Sequence, residues 1–518
     1  MSGPLLLALA WGAPALLVVG LAAALWRARG ALPLLPEGRW PKLGALALLA
    51  LAAAARLVFV PAWWAHRYDG HEAEYYAIFL GERGLGEAST RLYPAMQALW
   101  ALAGHLAPRV EQAPVLLSVA ISLLGGLWLA RATGWLFGPR AGWITAVLLA
   151  AHPAAAAWAG SAYNVIAPSA LIALSLAAIA AVEVRPESAA RLGWVAGLAF
   201  GLAIACRVEV GVFGVTLLGL ALVSSGGLAR LGPPLAAGAA LGALATAPLL
   251  VGGAPGDGER EVALNMNLLW FDPYGAWGSG AGLVLLGLAA ALACWSAPRR
   301  AVPLAIGVIA IHAVMSCFDD FGERHALLAL PGLLMLLSAA GVSLGWRSLA
   351  LPLVALGFLA PDLVSLRWRY AGSEQAFAAL LRRPPYAELP VRTLRRPAMS
   401  GRSPVDPNCG WISEDERVST PPLSSHFNLW DPAEAESLRG AGGCLHWCLD
   451  ANDWRWDSRS VRDRAMRVAH LYEITPIAVV EEPSSGYACL VMEIGQRRCC
   501  GPGLTPFALR PSGLAAIP

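Results

Sequence analysis

Long apolar stretches alternate with short polar loops over the first two thirds of the chain. A helix needs about 20 apolar residues to cross a hydrocarbon core of roughly 30 Å, because each residue adds about 1.5 Å. Stretches near that length predict membrane-spanning helices, and three shorter ones bring the number to about twelve. The long stretches are 5–26, 43–62, 112–130, 141–157, 165–183, 231–253, 279–297, 325–345 and 348–366, and the shorter ones are 192–205, 210–226 and 301–317.

The pattern changes near residue 367, after which the chain reads as an ordinary globular segment. Strand-like runs lie at Cys444–Leu449, Ile474–Glu481 and Tyr487–Ile494. Helical patterns lie at Ser373–Arg382 and Ser460–Leu471, and a stretch rich in Pro, Ser and Arg covers 383–425. The sequence therefore predicts an all-α polytopic membrane domain over 1–366 and a small α/β domain over 367–518.

Arg and Lys concentrate in one set of alternate loops, which predicts that these loops face the cytoplasm. The opposite set contains the large loop 63–111, the loops 254–278 and 318–324, and the whole tail, which we expect to face outward. Arg27 and Arg29 follow the first apolar stretch, whereas no positive side chain precedes it. That polarity favours a retained anchor over a cleaved signal peptide. The cytoplasmic set is Arg27, Arg29, Arg39, Lys42, Arg131, Arg140, Arg185, Arg191, Arg230, Arg299, Arg300 and Arg347.

Composition agrees with a bacterial inner-membrane protein. Hydrophobic residues make up 57% of the 518 positions and charged residues only 14%, where a soluble protein carries about a quarter. Lys42 is the single lysine, a bias that indicates a GC-rich bacterial genome. The net charge of +3 and the lack of a basic stripe predict no nucleic-acid partner.

The cysteines divide in the same way as the chain. Three lie in or beside predicted membrane helices, and six lie in the tail. An even cluster in an oxidising compartment predicts disulfides, although six cysteines allow 15 pairings. Cys444, His446 and Cys448 are close enough to suggest a metal site, but zinc sites more often use Cys-x-x-Cys spacing. The first group is Cys206, Cys294 and Cys317, and the second is Cys409, Cys444, Cys448, Cys489, Cys499 and Cys500.

The first outward loop concentrates groups capable of acid and base chemistry. Asp69, His71, Glu72 and Glu74 occupy six positions just beyond a predicted helix, with aromatic residues on both sides. Arg91-Leu-Tyr93-Pro94 follows, and then an amphipathic run over Met96–Leu106 that we expect to lie along the membrane surface.

These segments resemble the GT-C membrane glycosyltransferases. The resemblance is to the dolichyl-phosphate-mannose–protein mannosyltransferase branch, which includes the bacterial lipid A aminoarabinose transferase. Its Asp-Glu-x-x-Tyr and Tyr-Pro segments correspond to His71-Glu72-Ala-Glu74-Tyr75 and Tyr93-Pro94. Its Gly-Leu…Arg-Pro-Glu segment corresponds to Gly201–Glu209, and its Arg-Tyr-Leu-Leu-Pro-x-Leu-Pro segment to Arg324–Pro331. The resemblance covers roughly residues 43–345.

The chain departs from the family pattern at named positions. His71 stands where the family has Asp before the Glu, and Asp69 is an alternative carboxylate two residues earlier. The second outer loop reads Ser161-Ala-Tyr163-Asn164 where this branch often has an acidic residue. His325 stands where the family has Tyr. The identity of the base therefore stays open between Asp69 and Glu72.

The resemblance implies inverting transfer of a sugar from a polyprenyl phosphate to an acceptor outside the membrane. The acceptor hydroxyl must lose a proton, and Asp69 or Glu72 is the candidate catalytic base. The leaving phosphate needs a cation, for which Arg324 is the first candidate and Arg207 the second. His71, Glu74, Tyr93 and His325 are further candidate substrate-binding residues. No cofactor follows from the sequence, and a divalent metal ion stays an alternative to arginine.

Each of these residues also has a purely structural explanation. Charged residues at a membrane interface are commonly just solvated, and arginines at helix ends extend toward water, which suffices for Arg56. Arg207 and Glu209 are better explained as an ion pair. Glu74 lies on another helix face than Glu72, and a lone histidine such as His71 usually binds no metal.

Three functions compete at this point. The first is the glycosyltransferase, whose partners are a polyprenyl-phosphate-linked sugar, the membrane, and a lipid, glycan or protein acceptor. The second is a transporter or lipid flippase, which would place paired charges at mid-membrane. The third is a non-catalytic envelope-assembly protein that uses the tail as a binding module. Nearly charge-free spans and charged outer loops favour the enzyme.

Overall fold

The computed structural model describes helices in the first 345 residues and five strands in the tail. The described residues are 4–57, 75, 78–79, 81, 93–106, 113–152, 155–156, 158–160, 165–251, 280–315, 327–345, 391–393, 410–413, 444–450, 472–482 and 487–497. They fall into two compact units, one with the helices and one with the strands. The predicted domain boundary at 366 lies outside these residues and stays a prediction.

Helices occupy the predicted apolar stretches wherever the structure describes them, and the chain is mostly helical in this part. The stretch 348–366 lies outside the described residues. In chain order the helices are α1 (Pro4–Ala28), α2 (Arg39–Leu57), α3 (Pro94–Leu106), α4 (Ala113–Phe137), α5 (Pro139–Ala151), α6 (Ile166–Val182), α7 (Ala189–Cys206), α8 (Gly214–Val223), α9 (Gly227–Val251), α10 (Gly280–Ser296), α11 (Pro298–Met315) and α12 (Leu330–Ser343). Short 3₁₀ turns cover Trp158–Gly160, Pro186–Ser188 and Val208–Phe213.

Length and composition alone allow 4 of the described helices to cross a membrane. Their outer faces carry large apolar side chains, such as Val19 at 69% exposure and Leu124 at 45%. Water disfavours such faces, whereas lipid tails accept them. The four spans are Trp11–Ala28, Ala113–Phe137, Pro186–Cys206 and Gly227–Ala247. The predicted number of about twelve spans is thus not confirmed, because the other described helices are shorter or less apolar.

Glycines bring α7 and α9 into backbone contact. A side chain on Gly197 would meet the carbonyl of Pro234, and one on Gly201 would meet the carbonyl of Gly238. Gly242 lies in the same way against the carbonyl of Gly201. Small residues four positions apart are the usual way for membrane helices to approach this closely. The contact fixes the end of α7, where Arg207 follows.

The loops predicted to face the cytoplasm meet at one end of the helical unit, which we call the basic end. Side chains from one loop bond to groups in another, so these loops share a side of the bundle. Which side of the membrane this is stays a prediction. The contacts are Arg131 Nε to Pro33 O at 3.1 Å, Arg191 Nη1 to Arg27 O at 3.4 Å, Arg185 Nη2 to Glu37 Oε1 at 3.8 Å, and Arg300 Nη2 to Glu183 Oε2 at 2.8 Å.

Arg56 does not extend toward water, so the interpretation of this residue from sequence was wrong. The side chain near the end of α2 is only 1% exposed. Its Nε donates to Ser122 Oγ at 3.2 Å, its Nη1 to Ala52 O at 3.1 Å and its Nη2 to Leu149 O at 3.3 Å. The guanidinium therefore joins α2 to α4 and α5 from inside the bundle.

The tail contains a five-stranded mixed sheet. The strands are β1 (Val391–Thr393), β2 (Gly410–Ser413), β3 (Leu445–Asp450), β4 (Tyr472–Glu482) and β5 (Tyr487–Arg497), in the order β1-β4-β5-β3-β2. β4 and β5 form an antiparallel hairpin, β5 pairs antiparallel with β3, and the two edge strands pair parallel with their neighbours. The register shifts beside Pro476, which has no N–H for the ladder.

The three strands predicted in the tail are β3, β4 and β5. The edge strands β1 and β2 were missed, because they are short and lie within the Pro-, Ser- and Arg-rich stretch 383–425. The helical patterns at 373–382 and 460–471 lie outside the described residues. Cys206 and Cys294 are free thiols in the helical unit. Disulfides between the tail cysteines, and the outward position of the tail, stay predictions.

Candidate functional site

The end of the helical unit opposite the basic end brings two of the motif segments together. Tyr93 immediately precedes α3, and Arg207 and Glu209 immediately follow α7. The Tyr93 hydroxyl donates to Glu209 Oε2 at 3.0 Å, and Arg207 Nη2 lies 3.4 Å from Glu209 Oε1. One carboxylate thus holds a tyrosine from the first loop predicted to face outward and an arginine from the end of a helix. We call Tyr93, Arg207 and Glu209 the outer triad, after this predicted side.

The outer triad is largely removed from solvent. The side chains of Arg207 and Glu209 are 6% and 13% exposed. The pKa of the Tyr93 hydroxyl is raised above its ordinary value, first because of its removal from water and then because Glu209 is negatively charged. The hydroxyl therefore remains a hydrogen-bond donor at neutral pH. Within this contact the charge of Arg207 is balanced by Glu209.

The backbone before Glu209 explains its position. The chain leaves the helical conformation at Arg207, whose φ and ψ are −166° and 111°, and re-enters a 3₁₀ turn at Val208. This break turns Glu209 back toward α3 where a continuous helix would carry it further along the α7 axis. The same turn ends with Phe213, a fully buried ring that lies beside Gly332 of α12. It therefore connects the outer triad to the helix that follows the Arg324 segment.

The residues that follow the acidic cluster pack against α3 through Phe79. Tyr75, Ile78 and Phe79 have helical backbone and are 1%, 3% and 5% exposed. Gly104 of α3 lies against the carbonyl of Phe79, and no side chain would fit between them. The amphipathic helix predicted at Met96–Leu106 is α3, and its inner face carries Trp100 at 2% exposure. The motif tyrosine is therefore part of the packed bundle.

A hydrogen bond fixes the Arg324 segment, defined as Arg324–Pro331, at Leu327. Ser169, near the start of α6, donates its hydroxyl to the carbonyl of Leu327 at 3.1 Å. Leu327 lies three residues after Arg324 and is itself buried. The positions of Asp69, His71, Glu72, Glu74, Arg324 and His325 lie outside the described residues, so their proposed roles stay predictions. Of the predicted site residues, the structure describes Tyr93 and Arg207 and brings them together through Glu209.

Sequence reasoning found one of the two side-chain contacts that Glu209 makes in the outer triad. It identified the ion pair with Arg207, which the structure contains, but not the contact with Tyr93 across 116 positions. One sequence feature could have indicated this contact. Both segments resemble motifs of the same family, and both lie at the side of the membrane that is predicted to face outward. No group of three or more His, Cys, Asp or Glu side chains suited to a metal ion occurs among the described residues.

Comparisons with known proteins find similar solved structures only. No family model matches the chain, and no curated protein matches it. ArnT from Cupriavidus metallidurans in the apo state is 19% identical with a TM-score of 0.45, over 65% of this chain and 66% of that chain. The same enzyme bound to undecaprenyl phosphate is 18% identical with a TM-score of 0.45, over 64% and 65%. The oligosaccharyltransferase of Archaeoglobus fulgidus, in complex with Zn and sulfate, is 12% identical with a TM-score of 0.44, over 86% and 72%.

Both enzymes are GT-C glycosyltransferases, the group that the sequence motifs resembled. The matched part is just under two thirds of the length of ArnT. A likeness of this size assigns no role to any residue of this chain.

Proposed function

We propose that this protein is a membrane glycosyltransferase that moves a sugar from a polyprenyl-phosphate donor to an acceptor on the outer face of the inner membrane. The observation that supports the proposal is the outer triad. Two segments that resemble family motifs, and that lie far apart in sequence, meet at the end of the bundle opposite the basic end. If the contact served only to fix a loop, there would be no reason for it to involve residues of two family motifs.

The outer triad acts as a positioning element in this proposal. Arg207 is paired with a carboxylate and nearly buried, so its charge is not available in full to a lipid phosphate. We therefore assign the phosphate to Arg324, whose planar guanidinium binds phosphate through two parallel hydrogen bonds. Arg207 and Glu209 hold Tyr93 at the start of α3.

The proposed reaction needs one base and one cation. Asp69 or Glu72 accepts the proton of the acceptor hydroxyl while the hydroxyl oxygen attacks the anomeric carbon. The bond from that carbon to the phosphate oxygen breaks, and Arg324 stabilises the negative charge that develops on the phosphate. The sugar changes its anomeric configuration, because the acceptor attacks from the face opposite the leaving group.

The direct test is an assay of the purified full chain in lipid nanodiscs. Radiolabelled undecaprenyl-phosphate sugars are supplied with extracted membrane lipids, glycans and proteins as acceptors. We expect label to move from the donor to one acceptor class, and the product to have inverted configuration. No transfer with any polyprenyl-phosphate pentose or hexose, by protein that is folded and inserted, would contradict the proposal.

A further inference from the structure

A cavity of about 600 Å³ lies between α2, α4 and α5, away from the outer triad. Its walls are mainly alanine, leucine and glycine, and it extends along α2 from Pro41 to Arg56. Fifteen helical steps span roughly 22 Å. This exceeds the roughly 15 Å of hydrocarbon in one leaflet, so an acyl chain and part of a head group fit along it. The volume lies within the range of about 300–1,000 Å³ that ligand sites occupy.

Charged side chains line the cavity where it reaches the basic end. Arg131 and Arg185 both line it, together with Glu37 and Trp135. The Arg131 guanidinium stacks over the Trp135 ring at 4.6 Å from its centroid, and its Nε donates to Pro33 O. These contacts hold the Arg131 side chain in place and use only its Nε–H. Its Nη groups are therefore the ones that would donate hydrogen bonds to a phosphate oxygen.

The charges do not cancel at this end of the cavity. Arg185 pairs loosely with Glu37 at 3.8 Å, and the Glu37 side chain is 86% exposed. Two cations against one solvated carboxylate give a local charge of +1. A phosphodiester carries one negative charge and matches this surplus, whereas a zwitterionic head group does not. The apolar walls beyond the charged end fit the hydrocarbon of the same molecule.

We propose that this cavity is a binding site for an anionic phospholipid of the leaflet at the basic end. The phosphate binds Arg131 and Arg185, and one acyl chain extends along α2 toward Arg56. The site is distinct from the outer triad, because none of Tyr93, Arg207 and Glu209 lines the cavity and its charged part lies at the basic end. It would make the α2–α4–α5 group sensitive to the lipid composition of the membrane.

Native mass spectrometry of the detergent-purified full chain tests the proposal without an activity assay. Phosphatidylglycerol and phosphatidylcholine are offered at equal concentration, and we expect the chain to retain phosphatidylglycerol preferentially. The double variant Arg131→Gln and Arg185→Gln should lower that retention roughly tenfold or more, since it removes two hydrogen bonds to a charged group. Arg140→Gln is the matched control, because Arg140 is exposed at the same end and does not line the cavity.

A second pair of variants tests the hydrocarbon part without changing charge. Ala45→Trp fills the cavity from α2, whereas Ala47→Trp places the same side chain on the exposed face of α2. Retention of phosphatidylglycerol should fall for Ala45→Trp and stay at the wild-type level for Ala47→Trp. Equal retention of both lipids by the wild type would overturn the proposal. Unchanged phosphatidylglycerol binding by both the double arginine variant and Ala45→Trp would overturn it as well.

Discussion

The hydroxyl of Tyr93 donates a hydrogen bond of 3.0 Å to Oε2 of Glu209, although 116 residues separate the two. The raised pKa of Tyr93 means that the folded protein holds this proton more tightly than the unfolded chain. Stability from the contact is therefore fully present below the unfolded pKa of 10.0 and is lost as pH rises through the folded pKa. The contact between loop and helix end is thus independent of pH around neutrality.

Tyr93→Phe should lower the free energy of unfolding by about 1.5–3 kcal/mol, because the variant loses a hydrogen bond to the charged Glu209 carboxylate. In a Glu209→Ala background the same change should cost close to nothing, since the acceptor is already absent. Glu209→Ala alone should be more severe than Tyr93→Phe, because it removes a carboxylate that both Tyr93 and the nearly buried Arg207 contact. Unfolding in an SDS titration measures all three. An equal cost of Tyr93→Phe in both backgrounds would show that the contact does not form.

Glu72→Gln and Asp69→Asn test the proposed base. Each amide keeps the shape of the side chain but cannot take the acceptor proton, and loss of a general base costs about a hundred- to ten-thousand-fold in rate. At least one variant should remain folded and inserted and lose nearly all transfer of labelled sugar, while still binding donor lipid. Glu74→Gln is the matched control and should be milder. Near-normal transfer by the Glu72→Gln, Asp69→Asn double variant would exclude this cluster as the base.

Arg324→Lys separates charge from geometry at the proposed phosphate site. Lysine keeps the positive charge but loses the planar pair of N–H donors, so the turnover rate should fall more than the amount of folded protein. Arg324→Ala should also weaken binding of the donor lipid. Intact donor binding and turnover in Arg324→Ala would assign the residue a structural role, and the phosphate would then need another cation.

Gly201→Ala tests the close approach of α7 and α9. The added methyl group would collide with the carbonyl of Gly238, so we expect a loss of about 1–3 kcal/mol in stability. Gly287→Ala in α10 is the matched control, because no atom lies within 4 Å of the position where its Cβ would be. Thermal unfolding of the two purified variants gives the comparison. Equal unfolding temperatures would mean that α7 and α9 do not pack through their glycines.

Sidedness is tested by a reporter fused after Tyr370. A reporter enzyme that folds only in an oxidising compartment should be active at this position, because the loop charges predict that the tail lies outside. A second fusion within the loop that carries Arg185 should be inactive in the same assay. Activity of the reporter on the cytoplasmic side after Tyr370 would invert the topology and remove the proposed site from the outer face.

The sequence predicted secondary structure correctly where a single local property, such as an unbroken apolar stretch, determines it. Helix positions followed from unbroken apolar stretches, and β4 and β5 followed from long runs of strand-forming residues. Short edge strands such as β1 gave no such signal, because three residues in a polar stretch acquire their conformation from pairing with β4. The contact of Glu209 with Tyr93 and the burial of Arg56 were missed for a related reason. The hydrogen-bond partners of a buried polar group come from other helices, and the sequence around that group does not identify them.

The buried guanidinium of Arg56 has a consequence for biogenesis. The ribosome makes its partners Ser122 and Leu149 more than sixty residues after the end of α2. An arginine at the centre of a membrane helix costs about 2.5–3.5 kcal/mol at the translocon. Arg56, in the last turn of α2, costs less, but its bonds to Ser122 and Leu149 can form only when α4 and α5 are present. We expect α2 to leave the translocon together with them rather than alone. Crosslinking of stalled nascent chains to the translocon would show α2 retained until residue 149 has emerged, and early release into lipid would contradict this order.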